Sequence, residues 1–119
     1  MEMLCIVRFG GPKQGREEAA MAFAARQEQE CDEMVAQGLL TSWEWIVNTT
    51  GPEDDMFVMR GAPEAIAAMM ASPESAATIA EGQYLLDDFR VDLGVAGRAD
   101  EVYAAWSAVL AVEAGAPEG

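Results

Sequence analysis

Apolar positions along this chain recur with two different periods, and the switches between them mark out the elements. Met3-Leu4-Cys5-Ile6-Val7-Arg8-Phe9 is an almost unbroken apolar run closed by Gly10-Gly11-Pro12, and it reads as a strand sheltered on both faces. Over residues 16–37 the period changes. Ala20, Phe23, Ala24, Cys31, Met34 and Val35 fall on one helical stripe, Glu17, Glu18, Glu28 and Glu30 lie mostly off it, and Gly38 suits the C-terminal cap. Residues 40–49 return to alternation, with Trp43, Trp45 and Val47 on one face and Glu44, Ile46 and Asn48 on the other. A turn over residues 50–54 leads to a further strand at residues 56–60, so the two strands form a hairpin. A second helical region opens at Gly61-Ala62-Pro63, carries Ile66, Met69 and Met70 on its apolar side, restarts at Ser72-Pro73-Glu74 and runs to Gly82. Residues 84–95 read as a fourth strand. Asp87, Phe89, Val91, Leu93 and Val95 share one face, and Leu86, Asp88, Arg90 and Asp92 share the other. A last helix, residues 99–114, has a stripe of Val102, Tyr103, Trp106, Val109 and Leu110.

The order is strand, helix, strand, strand, helix, strand, helix. Its first six elements match the split βαβ arrangement, a ferredoxin-like βαββαβ unit of the α+β class with a four-stranded antiparallel sheet, extended here by a C-terminal helix. Residues 1–114 are expected to form a single domain and residues 115–119 to fray. Helices on one side of such a sheet leave its other side wet. The apolar first strand and the tryptophan hairpin therefore require a second cover, either the last helix or the sheet of a second copy.

The chain has 21 acidic against 7 basic residues, a net charge of -14. That surface repels phosphate backbones and anionic lipid heads, so neither nucleic acid nor a membrane is an expected partner. No run approaches the roughly 20 apolar residues of a membrane span, no targeting segment is visible, and a cytoplasmic location is expected. The two cysteines, Cys5 and Cys31, have no metal-ligand spacing and are expected as buried free thiols rather than a disulfide. There is no histidine, which removes the commonest metal ligand and the commonest general base near neutral pH. No metal or cofactor motif is present in the sequence: Asp54-Asp55 and Asp87-Asp88 lack calcium-loop spacing, and Gly10-Gly11-Pro12 lacks that of a phosphate loop.

The element order, the Ser72-Pro73-Glu74 break and the Leu86-Asp87-Asp88-Phe89-Arg90-Val91 segment together resemble the dimeric α+β barrel superfamily, over residues 3–97. Small members include YCII-related proteins and antibiotic-biosynthesis-type monooxygenases. The resemblance implies a homodimer with two sheets facing each other, and a small apolar pocket between sheet and helices in each subunit. YCII-related proteins use a histidine-aspartate pair that a chain without histidine cannot supply, and no residue role transfers from the monooxygenases.

Candidate chemistry comes from a few residues. Gln27 places an amide in the middle of an apolar stripe, where it either holds a ligand or bonds nearby backbone. Asp88, Arg90 and Asp92 alternate, so that Asp88 and Arg90 form a candidate catalytic pair able to bind an acidic substrate or steady an enolate, or else belong to an ion-pair ladder. Trp43 and Trp45 offer flat walls to an aromatic ligand, or act as core or interface anchors. Arg8 and Arg60 interrupt or end apolar strands and supply either a counter-charge to a ligand or structural pairs across strands. Two functions fit: a small-molecule pocket protein acting without cofactor as an oxygenase, isomerase or cyclase on a mostly apolar or aromatic metabolite, or a non-catalytic dimer that binds a ligand or partner. A cavity of several hundred cubic ångströms reached by Gln27 and an arginine distinguishes the first from the second.

Overall fold

The computed structural model describes residues 1–51 and 54–113; the expected frayed tail lies outside the described residues. In chain order the elements are β1 (Glu2–Phe9), α1 (Glu17–Ala36), β2 (Ser42–Ile46), β3 (Asp55–Gly61), α2 (Pro63–Met70), α3 (Pro73–Leu85), β4 (Arg90–Ala96) and α4 (Ala99–Glu113). The strands form one antiparallel sheet in the order β2-β3-β1-β4, the ferredoxin-like arrangement. Local chemistry sets the helix ends. After α1, Gly38 adopts φ +77°, its N–H donates to the Val35 carbonyl at 3.0 Å, and the Leu39 N–H reaches back to Met34 at 2.9 Å. This closure favours glycine because its second residue is left-handed. At the start of α3 the Ser72 hydroxyl accepts from the Ser75 N–H, with Pro73 at the first helical position.

Register sorts the strand residues into two faces. The rows Trp45–Phe57–Val7–Val91 and Trp43–Met59–Cys5–Leu93 run across the sheet on the helix side. There Cys5, Phe57 and Met59 join Cys31, Leu40 and Ile66 in the main core, and Ile66 is completely buried. A second cluster, Ala20, Phe23 and Leu85, closes the start of α1 against the end of α3, with Leu86 and Phe89 beside it. The opposite face carries Ile46–Met56–Arg8–Arg90 and Glu44–Val58–Ile6–Asp92.

Three expectations require correction. The helical region does not stop at Gly82 but continues through Leu85, because Gly82 and Leu85 are both buried at helical spacing. The fourth strand accordingly starts at Arg90, after a turn in which Asp88 takes φ +52°; a left-handed residue cannot belong to a continuous strand, so Asp88 does not alternate with Arg90 and Asp92. The second strand is confined to Ser42–Ile46. Within the single chain Cys5 of β1 is buried on the helix side, whereas Leu4 and Ile6 are half-buried on the other, the face for which a second cover is expected. Among the described residues α4 shows no extensive packing against the sheet, and Tyr103 and Trp106 are exposed.

Candidate ligand cavity

A cavity of about 490 Å³ lies between the sheet and the helices. Its origin is visible on α1, whose sheet-facing stripe alternates bulk with small side chains. Ala20 and Ala24 leave space beside Gln27, and Phe23 is drawn instead into the second cluster. The sheet contributes Phe9, Trp45 and Phe57: the Phe9 and Trp45 rings meet edge to face with centroids 5.9 Å apart, and Trp45 tilts against Phe57 at 4.6 Å. Phe89 and Phe23 continue the aromatic lining at the other end, edge to face at 6.5 Å. Phe89 can lie there because residue 82 is glycine; a Cβ on Gly82 would meet the Phe89 ring at 2.4 Å. Met69 and Met70 supply deformable sulfur-bearing walls from α2.

The frame around the cavity is tied by polar contacts. The Trp45 indole N–H donates to Glu28 Oε2 at 2.8 Å, and that of Trp43 to Asp32 Oδ1 at 2.8 Å, so α1 holds both rings of β2 in fixed orientations. Arg26 on α1 is ion-paired with Glu81 on α3. At the end near β4 the Gly10 N–H donates to the Asp87 carbonyl at 2.7 Å and the Lys13 N–H to that of Leu85 at 2.9 Å. The side chains of Lys13 and Arg16 donate to the last carbonyls of α3, at Gln83 and Tyr84, where a cation complements the helix dipole.

The structure divides the candidate residues between two places. Gln27 and Trp45 line the cavity, and the Gln27 amide makes no hydrogen bond to another described side chain or backbone group. Trp43 packs behind them, against Phe57 and the main core. Arg8, Arg60 and Arg90 are on the opposite sheet face. Arg8 pairs with Asp92 at 3.1 Å, Arg60 with Glu44, and Arg90 with Asp54 at 2.8 Å. Arg90 also donates to the Asp88 backbone carbonyl rather than to its carboxylate. Arg8 and Arg90, with Ile46, Asn48, Asp54 and Met56, bound a smaller hollow of about 340 Å³ on that face. Among the described residues no arginine lines the larger cavity. Phe9, Phe57 and Phe89 were not among the candidate residues read from the sequence. The shared parity of Trp45, Phe57 and Phe9 after strand pairing was the available signal, and it needs the register to be read.

Cys5 and Cys31 also line the cavity, both free and buried. Burial pushes the Cys5 thiol up to about 11. Cys31 is pushed up to about 12, first by burial and then by Glu30, Asp32 and Cys5. Both thiols therefore stay protonated and unreactive near neutral pH. Since the folded values lie above the unfolded one near 9.0, their contribution to stability is complete below pH 9 and is lost as pH rises toward 11–12. Urea midpoints measured from pH 8 to 11 are expected to fall, and to fall less steeply in the Cys5→Ala/Cys31→Ala double variant. Equal slopes would show that these thiols do not titrate differently in the two states.

Among the described residues no group of three or more histidine, cysteine, aspartate or glutamate side chains is arranged to hold a metal, and no helix is long and apolar enough to cross a membrane.

A four-stranded antiparallel sheet, backed by helices on one face and enclosing an apolar cavity, defines a ferredoxin-like α+β protein. Solved structures share this fold. SnoaB, a cofactor-independent oxygenase from Streptomyces nogalater, superposes with a TM-score of 0.55 over 82% of this chain and 95% of its own, at 14% identity. A protein of unknown function from Nitrosomonas europaea gives 0.55 over 82% and 92%, at 20% identity. A dimeric protein of unknown function and ferredoxin-like fold from Bacteroides fragilis gives 0.53 over 77% and 93%, at 10% identity. No protein-family model and no curated protein sequence matches this chain.

Proposed function

We propose that the cavity binds a mostly apolar or aromatic small molecule, and that a homodimer of this chain acts on it without a resident cofactor, as an oxygenase, isomerase or cyclase. The observation that carries this reading is an aromatic-lined space of about 490 Å³ with one uncommitted amide, Gln27, on its helical wall. Its size and makeup suit a flat ligand oriented by few polar contacts. Use of the same fold by SnoaB for cofactor-independent oxygenation supports the choice of reaction class. In this reading Gln27 orients a polar substituent, Trp45 and Phe57 form the stacking wall, and the Arg8, Arg60 and Arg90 pairs serve the opposite face. Asp88 and Arg90 then have no direct part in the chemistry.

A neutral aromatic probe tests the binding step. Titration with 2-naphthol is expected to quench tryptophan emission saturably, at one site per chain, and to raise the melting temperature. A linear, non-saturating response with no thermal shift would refute a preformed aromatic site.

A further inference from the structure

Among the described residues the cavity has carboxylates on its lining but no basic side chain. Glu30, Asp55 and Glu74 all contribute to the wall, and none is ion-paired among the described residues. Glu30 and Glu74 are exposed and so mark places where the cavity meets solvent. The chain has seven basic side chains, and six are committed elsewhere. Arg8, Arg26, Arg60 and Arg90 are bound to Asp92, Glu81, Glu44 and Asp54. Lys13 and Arg16 are bound to carbonyls at the end of α3. Arg98 stands beside α4, away from the cavity lining.

An anionic ligand entering this space would give up its hydration without meeting a counter-charge, and it would pass unpaired carboxylates on the way. A ligand cation meets the reverse: carboxylates at the lining and the negative faces of Trp45 and Phe57. A neutral aromatic loses nothing by the lack of a counter-charge.

Building on the pocket reading above, we propose that the cavity selects by charge, accepting aromatic ligands that are neutral or positively charged and rejecting those bearing a carboxylate or phosphate. This departs from the acidic substrate that an arginine in the cavity would have favoured.

Three probes of one shape separate the terms at pH 7 and 0.15 M salt: 2-naphthol, 2-naphthylmethylammonium and 2-naphthoate. The naphthol and the ammonium are expected to bind with similar affinity, and the naphthoate at least tenfold more weakly. In the Glu30→Gln/Glu74→Gln variant that gap should narrow, by gain for the naphthoate and loss for the ammonium. Naphthoate binding as tightly as naphthol would overturn charge selection while leaving the pocket intact. A gap unchanged in the variant would overturn the part assigned to Glu30 and Glu74 and leave the missing counter-charge as its cause. Failure of all three probes would remove the pocket reading and this proposal together.

Discussion

Ala24→Trp is expected to abolish 2-naphthol binding, with at least a tenfold loss of affinity, while the protein remains folded. Ala24 is half-buried on the sheet-facing side of α1 and lines the cavity beside Gln27. An indole there occupies the space that the ligand would take. The helix itself tolerates the change, since tryptophan costs about 0.5 kcal/mol relative to alanine in helix propensity. The void spares most of the roughly 1–3 kcal/mol that overpacking a filled core would cost. Far-UV circular dichroism and a cooperative urea transition verify the fold. Gln27→Leu provides an independent check that keeps the cavity nearly the same size. It is expected to keep or raise stability, because the amide has no described partner to lose, and to weaken 2-naphthol more than naphthalene. Wild-type naphthol affinity in Ala24→Trp would place any ligand site elsewhere.

Ile6→Asp is expected to convert a dimer into single chains. Ile6 stands in one of the two inner strands of the sheet, between Val58 on β3 and Asp92 on β4, on the face opposite the one packed on α1, α2 and α3. Leu4, Met56 and Ile46 extend the apolar surface around it, and Ile46 is 38% exposed. Two copies meeting through this face would bury a row of β-branched and methionine side chains. Around it the Arg8–Asp92, Arg60–Glu44 and Arg90–Asp54 pairs would form a charged rim. A carboxylate at position 6 would be buried without a counter-charge in each copy, a cost of several kcal/mol per ion that a dimer of ordinary affinity does not survive. Sedimentation at micromolar concentration should give twice the 12.7 kDa chain mass for the parent and the chain mass for the variant. A parent that sediments as a single chain would end the dimer proposal.

The thiols limit how such experiments are run. Cys5 Sγ lies 3.7 Å from Met70 Sδ, and both atoms belong to residues of the cavity wall. Alkylation that reached the thiols would therefore change the ligand site as well as the core. Their raised values keep them protonated at the pH of the binding assays.

What could be read from the sequence alone follows from periodicity. The order of strands and helices, the Gly38 cap, the Ser72-Pro73 restart and the oddity of Gln27 all arise from residues within a few positions of one another. Local backbone geometry and side-chain spacing are sufficient to specify them. The fourth strand was misread because residues 84–89 alternate as a strand would. The contact that decides otherwise, Leu85 packed on Ala20 and Phe23, joins parts of the chain more than sixty residues apart.

The fates of the charged and aromatic candidates were settled only by tertiary structure. Arg8, Arg60 and Arg90 lie at strand positions whose partners are fixed by the β2-β3-β1-β4 order, and that order brings Asp92, Glu44 and Asp54 to them. Strand parity places those arginines on one side of the sheet and Trp45, Phe57 and Phe9 on the other. A period of two states which residues share a face, but not which face meets the helices. The sequence alone determined a ferredoxin-like element order with a polar amide on an apolar helix. Packing of α1 over the sheet decided that this amide borders an aromatic cavity with carboxylates and, among the described residues, no cation, because the wall is assembled from segments distant along the chain.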